Sequence, residues 1–146
     1  MIVWRISDHN DLEGKGGLFF SGRWNFKGEA IVYCADHPST AMLEILVNTD
    51  LHFLPDTYQL LKIEIPDEAI EQVGELPKNW HHDPGITQSI WRTFCAESEN
   101  AVLAVPCVIV PHAWNYLINP KLVDQSGISI VGNSKHPYDE RFQLEL

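Results

Sequence analysis

Three polar residues lie close together in a segment of the chain that is otherwise largely apolar, residues 21–46. Arg23 follows a glycine, Tyr33 lies near the end of an apolar run, and Glu44 interrupts a second run of apolar residues. Charged and polar groups in apolar surroundings are costly unless they have a partner or a task. Their proximity in the sequence therefore predicts a functional site.

Glu44 is the only charged residue in a predicted helix over residues 40–48. Apolar side chains cover nearly every face of this segment, which predicts a helix that is buried all round. Two interpretations of Glu44 stay open: it pairs with an arginine for stability, or its carboxylate performs chemistry. The second is favoured, because a buried ion pair often stabilises a fold less than apolar side chains would.

The formal net charge of the 146 residues is -10, but the charge is unevenly distributed. Residues 1–30 contain four basic and four acidic side chains, whereas residues 31–146 contain six basic and sixteen acidic ones. An acidic protein repels nucleic acid phosphates, so we expect no direct binding to nucleic acid. An anionic ligand is best accommodated by the first 30 residues, and the acidic remainder is equally suited to a basic protein partner.

Several classes of protein are disfavoured by the remaining composition. No window approaches the roughly 18 uninterrupted apolar residues of a membrane span, and the N-terminus lacks the pattern of a signal peptide. We therefore expect a cytoplasmic protein. Cys34, Cys95 and Cys107 form no CxxC pair, and the adjacent His81 and His82 lack the spacing of a zinc site, so no metal is expected.

The order of predicted elements indicates an α+β fold in one domain, residues 1–146. Strands predicted over residues 2–6, 30–35 and 58–65 are interspersed with helices without a regular βαβ rhythm, which favours a mainly antiparallel sheet. The hydrophobic phase changes near Leu60 and Leu61, which predicts a bulge or burial on both faces. Further helices are expected at residues 67–73 and 87–97.

An ordered set of motifs then resembles the RES domain family. They are WRIS, GRWN-x-x-G, VYCA, A-x-LE-x-LV, VP-C-VIVP, N-x-L-x-NP and P-Y-x-x-R. Each motif alone is weak, but together they follow the family order over nearly the whole chain. The family is named for an arginine, a glutamate and a serine.

The resemblance implies the toxin of a bacterial type II toxin–antitoxin pair. Its expected partner is a cognate Xre-type helix-turn-helix antitoxin, and homodimerisation is a family expectation. The implied fold is similar to that of ADP-ribosyltransferase toxins, with small antiparallel sheets packed with helices around an NAD cleft. The implied activity is the degradation of NAD as a substrate, by hydrolysis or phosphorolysis and without a metal, or the transfer of ADP-ribose to a protein.

The resemblance also assigns site residues. The family arginine falls on Arg23, the glutamate on Glu44 and the serine position on Cys107, while Arg5 and Tyr33 match further substrate-binding positions. Cys107 departs from the family because a thiol is a weaker hydrogen-bonding group than a hydroxyl. Two consequences remain open: reduced activity, or a member that binds NAD without turnover.

The chemistry of NAD cleavage explains these residue types. Departure of nicotinamide builds positive charge on the ribose, which a fixed carboxylate such as Glu44 stabilises. Arginines such as Arg23 and Arg5 supply planar, bidentate donors for the pyrophosphate. Tyr33 offers an aromatic face for the nicotinamide ring.

Overall fold

The structure is a computed structural model that describes residues 1–142. Its seven strands are β1 (Ile2–Ile6), β2 (Val32–Ala35), β3 (Thr57–Glu64), β4 (Ile70–Gln72), β5 (Val102–Pro106), β6 (Trp114–Ile118) and β7 (Ser129–Pro137). Its helices are α1 (Gly16–Phe19), α2 (Pro38–Asn48), α3 (Pro84–Glu97) and α4 (Val123–Ser126). Short 3-10 turns occupy Leu51–Phe53, Asp67–Ala69, Trp80–His82, Pro120–Leu122 and Glu140–Phe142.

The strands form a sheet in the order β4-β5-β6-β2-β1-β3-β7, which is nearly divided in two at its centre. β1 pairs with β3 at five positions and β2 pairs with β6 at four, but β1 and β2 are bridged at Trp4 and Ala35 alone in the described register. The α+β class is confirmed. The expected small antiparallel sheets correspond to two halves joined by one bridge, with β4 and β5 forming a parallel pair.

Two hydrophobic clusters hold the sheet and the helices together. The first contains side chains from both halves of the sheet, including Val3, Leu61 and Ile118, so the halves pack against each other. The second joins the opposite face of β5 and β6 to α3, through side chains such as Leu103 and Trp91. The half that contains β5 and β6 is therefore covered on both faces, as its continuous apolar sequence requires.

Helix α2 lies on β1 and β2, across the seam between the two halves. Its start follows from the sequence, because the His37 ring accepts the amide of Ser39 and Pro38 occupies the first turn. The prediction that this helix is buried all round is wrong. Only Thr40 and Ala41 are buried, and Val47 is 60% exposed. The other apolar side chains of α2 are half-buried.

Two further expectations have different outcomes. The helix predicted over residues 87–97 is confirmed within α3. The helix predicted over residues 67–73 is wrong, because Asp67–Ala69 makes one 3-10 turn and the chain then becomes β4. Pairing of β4 with the buried strand β5 outweighs the local helical preference.

The phase change in β3 coincides with side chains packed on both of its faces, whereas the bulge lies elsewhere. Leu61 is fully buried while the preceding Leu60 is half-buried on the other face. The register irregularity lies slightly later, where Lys62 opposes Gly132 and Ile63 opposes Ile130. The extra residue, Val131, belongs to β7, so the bulge is in the partner strand.

Among the described residues, no helix combines the length and the apolar character needed to cross a membrane. Cys34 and Cys107 are buried free thiols and Cys95 is half-buried. No three His, Cys, Asp or Glu side chains within residues 1–142 are grouped closely enough to hold a metal ion.

Leu60 and Leu61 of β3 provide a test of which face of this strand is buried between the two halves of the sheet. We expect Leu61→Ala to lower the free energy of unfolding by about 2–5 kcal/mol, because it opens a cavity between the two halves of the sheet. Leu60→Ala should lower it by less, since Leu60 is half-buried on the other face. Urea unfolding of both variants measures this, and equal losses would contradict the assignment of faces.

Candidate functional site

A cleft of about 820 Å³ opens at the seam between β1 and β2. This volume lies within the range of about 300–1,000 Å³ typical of small-molecule sites. Four of the five predicted site residues line it: Arg5 from β1, Tyr33 from β2, Glu44 from α2, and Arg23 from the loop before β2. The weakly bridged seam explains why residues from both halves of the sheet reach one cavity.

The Glu44 carboxylate is held by neutral donors. Its Oε1 accepts a hydrogen bond from Asn115 Nδ2 at 2.9 Å and a longer one from Cys107 Sγ at 3.5 Å. Within residues 1–142 no arginine forms an ion pair with it, so the stabilising pair considered from the sequence is absent there. A carboxylate on a cleft wall without a counter-ion is free to respond to positive charge on a ligand.

Cys107 is next to the site rather than in the cleft lining. Its side chain is buried, its amide donates to the Ala113 carbonyl at 2.9 Å, and its thiol faces Glu44. Burial is the largest cause that raises the pKa of this thiol, and the neighbouring Glu44 raises it further. Cys107 is therefore protonated at neutral pH and acts as a weak donor, which is unlike a nucleophilic thiolate.

Arg23 is presented by a loop that is anchored from two sides. Its Nη1 donates to the His81 carbonyl at 2.9 Å. Its own carbonyl accepts the hydroxyl of Thr87, and Gln88 Nε2 donates to the carbonyls of Gly22 and Asn25 at 2.9 and 3.2 Å. The beginning of α3 thus fixes the loop that carries the guanidinium.

The hydroxyl of Tyr33 is used by the protein itself. It donates to Asn25 Oδ1 at 2.6 Å and accepts the amide of Trp24 at 3.2 Å. Burial raises the pKa of this phenol to about 12, against the smaller lowering effect of the Trp24 and Asn25 backbones. A Cβ on Gly22 would stand 2.6 Å from the phenol oxygen, so glycine is required at this close approach.

Asn25 is the structural centre of this loop, a role that its place in the GRWN motif did not reveal. Its side chain is 1% exposed, and Nδ2 donates to the carbonyls of Gly17, Phe20 and Phe26. A buried side-chain amide that meets several carbonyls substitutes for regular secondary structure. Its place in that motif was the available signal.

Two buried polar atoms of the cleft-lining residues have no hydrogen-bond partner within residues 1–142. They are Arg5 Nη1, a cationic donor, and Asn115 Oδ1, an acceptor. The carboxylate of Glu44 fixes the orientation of the Asn115 amide, since only Nδ2 can donate to it. An unsatisfied buried group costs about 1–3 kcal/mol. Such groups are typical of sites where a ligand supplies the missing partner.

Comparison with known proteins identifies the family. The profile of the RES domain matches residues 2–141. The chain belongs to the RES domain family. A Pseudomonas putida protein named Toxin Res is 41% identical over 124 residues, covering 83% of this chain and 86% of the relative. A Sphingobium protein named Prs ADP-ribosylating toxin is 36% identical over 151 residues, covering 94% of each chain.

The fold is also found in a solved structure. The crystal structure of the M. tuberculosis MbcT-MbcA toxin-antitoxin complex contains a chain that matches with a TM-score of 0.75. The match covers 93% of this RES domain and 84% of that chain at 18% identity, so it shows a shared fold.

The burial of the Tyr33 phenol leads to a pH-dependent prediction. An unfolded tyrosine ionises near pH 10, whereas Tyr33 in the fold has a pKa of about 12. Between these values the unfolded state loses a proton that the folded state keeps, so the contribution of Tyr33 to stability falls as pH rises.

We therefore expect Tyr33→Phe to be less stable than the parent at pH 8 and to lose less stability between pH 10 and 12. Urea unfolding across this range measures both effects. Parallel pH profiles for the two proteins would contradict the raised pKa of the buried Tyr33 phenol. The other tyrosines and cysteines titrate in both proteins and cancel in the comparison.

Proposed function

We propose that this RES domain is the toxin of a toxin–antitoxin pair and that it consumes NAD by cleaving the nicotinamide–ribose bond. The observation that carries the proposal is the Glu44 carboxylate, held by Asn115 and Cys107 on the wall of a cleft that also contains Arg5 and Arg23. The names of the Pseudomonas and Sphingobium relatives support the toxin assignment.

Glu44 acts on the charge that develops at the ribose. The bond between C1′ and the nicotinamide nitrogen breaks, and its electron pair leaves with nicotinamide, which becomes neutral. The ribose then carries positive charge that a fixed carboxylate stabilises more strongly than it stabilises the substrate. Water or phosphate adds to C1′, and loss of a proton completes hydrolysis or phosphorolysis.

The two arginines bind the pyrophosphate. Arg5 is suited to this because its buried Nη1 has no acceptor within residues 1–142, and a phosphate oxygen would supply one. Arg23 contributes a second guanidinium from the anchored loop, once phosphate competes with the His81 carbonyl. These cations make the entry of an anionic dinucleotide favourable in a protein with a net charge of -10.

Tyr33 contributes its ring rather than its hydroxyl. The hydroxyl is engaged by Asn25 and Trp24, and the side chain lines the cleft with 36% of its surface exposed. An aromatic face of this kind can stack against the nicotinamide ring. The fixed hydroxyl keeps the ring in one orientation.

A second function is transfer of ADP-ribose from NAD to a protein. It is favoured by the name of the Sphingobium relative, an ADP-ribosylating toxin that aligns with 94% of this chain. The two functions share the same first step and differ in the acceptor that reaches C1′. Labelled NAD in a cell lysate separates them, since transfer labels a protein band and degradation labels only small products.

The partner we propose is an Xre-type helix-turn-helix antitoxin. The structural neighbour was solved as a toxin-antitoxin complex, which supports an antitoxin partner for this chain. Homodimerisation and a cytoplasmic location remain predictions. Co-purification with the product of the neighbouring gene, followed by measurement of the mass of the complex, tests the partner and the stoichiometry together.

Release of nicotinamide from NAD tests the proposed reaction directly. We expect the purified protein to release nicotinamide, with ADP-ribose as the co-product of hydrolysis or a phosphorylated product that forms only when phosphate is present. Arg23→Ala should lower kcat/KM by about tenfold or more, because it removes a charge-assisted contact. Arg141→Ala is the matched control, since this exposed arginine pairs with Asp139.

Substitution of Cys107 should raise the activity, whereas substitution of Arg23 should lower it. Cys107→Ser should raise the rate of nicotinamide release, because a hydroxyl is a stronger donor to Glu44 than a thiol at 3.5 Å. Cys95→Ser, on α3, is the control and should leave the rate unchanged. If only the serine variant turned over NAD, the natural chain would be a binding member with little activity. A rate lowered by serine would contradict this role of the thiol.

A further inference from the structure

Two side-chain amides, Asn115 and Gln88, contact the functional groups of the cleft from different elements. Asn115 lies on β6 and reaches the carboxylate of Glu44, whereas Gln88 lies on α3 and reaches the loop that carries Arg23. We propose that these are positioning residues with separate tasks: Asn115 orients the group that acts in the bond-breaking step, and Gln88 orients the group that binds substrate. The inference rests on the proposed function.

Asn115 is well placed to fix a carboxylate. It lies opposite Ala35 of β2 and Val105 of β5, so hydrogen-bonded strands hold its backbone on both sides. Its Nδ2 meets Glu44 Oε1 at 2.9 Å, which is the stronger of the two contacts to that oxygen. A helix-borne glutamate has several rotamers, and this bond selects one of them.

Asn115 also lies on the same face of the sheet as Tyr33. Tyr33 pairs with Leu117 and Ala35 pairs with Asn115, so the two side chains are diagonal neighbours on adjacent strands. The ring platform and the anchor of Glu44 are thereby fixed by one stretch of strand pairing. Truncation of Asn115 removes the donor and leaves that pairing in place.

Gln88 acts on a different part of the cleft. Its Nε2 donates to the carbonyls of Gly22 and Asn25, the residues that enclose Arg23 and Trp24 in the loop. Both acceptors are carbonyl oxygens, so the orientation of the amide is fixed by its partners. Loss of Gln88 frees the loop on the side that faces the cleft, while Thr87 and Asn25 keep it attached to the protein.

Loss of each residue should therefore change a different quantity, kcat for Asn115 and substrate binding for Gln88. The bond from Asn115 matters most when charge develops beside Glu44, so its loss should lower kcat and leave ground-state binding almost unchanged. The bonds from Gln88 place a guanidinium that contacts the pyrophosphate in both the substrate and the transition state. Their loss should weaken binding and leave kcat almost unchanged.

The experiment measures two quantities for each variant of the full chain. Nicotinamide release at saturating NAD gives kcat, and calorimetric titration with ADP-ribose, which contains the pyrophosphate and no nicotinamide, gives Kd. We expect Asn115→Ala to lower kcat by about ten- to one-hundredfold with Kd changed less than about twofold. We expect Gln88→Ala to raise Kd by about three- to tenfold with kcat changed less than about threefold.

Isosteric variants separate hydrogen-bond donation from packing. Asn115→Asp and Gln88→Glu keep the shape of the side chain and replace the donor with an acceptor. Asn115→Asp should therefore lower kcat, and Gln88→Glu should raise Kd, at least as much as the alanine variants do. Asn133→Ala on β7 and Gln72→Ala on β4 are the matched controls, since both side chains are exposed and lie outside the cleft lining. Both controls should retain the parent kcat and Kd.

The outcomes distinguish this inference from the function on which it rests. A parent protein that binds ADP-ribose but releases no nicotinamide would count against the proposed function. An active parent in which both alanine variants change kcat and Kd to the same extent would overturn the division of tasks. Retention of activity by Asn115→Asp or Gln88→Glu would overturn the role of donation and leave packing as the explanation.

Discussion

The hydrogen bond from Asn115 to Glu44 joins the two parts of the molecule on which the site depends. It connects α2, which lies across the seam of the sheet, to β6, which pairs with β2 and β5 within one half of it. Glu44 receives this bond and the weaker thiol contact without a positive partner among the described residues. A carboxylate without a positive partner keeps its negative charge available for a ligand, whereas pairing with an arginine would have neutralised that charge.

The seam between β1 and β2 determines where the cleft can form. Strands that pair along their whole length leave no space between their side chains, whereas these two are bridged at one described position and then diverge. Arg5 can therefore reach the same cavity as Tyr33, although the two residues belong to different halves of the sheet. On either side of the seam, continuous pairing with β3 and β6 holds β1 and β2 in place.

The loop of residues 22–25 shows how a short irregular segment is made specific. Asn25 satisfies the carbonyls of the surrounding turns, Tyr33 satisfies Asn25, and α3 binds the outward-facing carbonyls. Gly22 permits the approach of the phenol. Each of these groups would be costly if left unpaired, so the position of Arg23 follows from the polar network around it.

Much of the fold could be predicted from local patterns in the sequence. The first strand, the proline-started helix α2 and the amphipathic helix α3 follow from periodicity and capping. β4 could not be predicted this way, because its strand conformation depends on pairing with β5, which lies about thirty residues later. The exposure of α2 was missed for a related reason, since an apolar helix at a cleft has the same sequence as a buried one.

The residues of the candidate site differ in the same way, since local sequence predicts some of them and not others. Arg23, Tyr33 and Glu44 are close in sequence and unusual in their surroundings, and with Arg5 they line the cleft. Asn25 and Asn115 belong to the GRWN-x-x-G and N-x-L-x-NP motifs, which assigned them no role, and Gln88 gave no signal, since a single polar residue in a helix is ordinary. Their roles depend on contacts across as many as 71 residues of sequence, which only the folded chain defines.

The central claim is that Glu44 acts through its negative charge, and the variant Glu44→Gln tests it most directly. Glutamine keeps the shape and can still accept the bond from Asn115. Nicotinamide release and ADP-ribose binding should be measured on the same preparation. We expect release to fall by about 100-fold or more while the Kd for ADP-ribose stays within about twofold of the parent value. Nicotinamide release by Glu44→Gln at the parent rate would contradict the account.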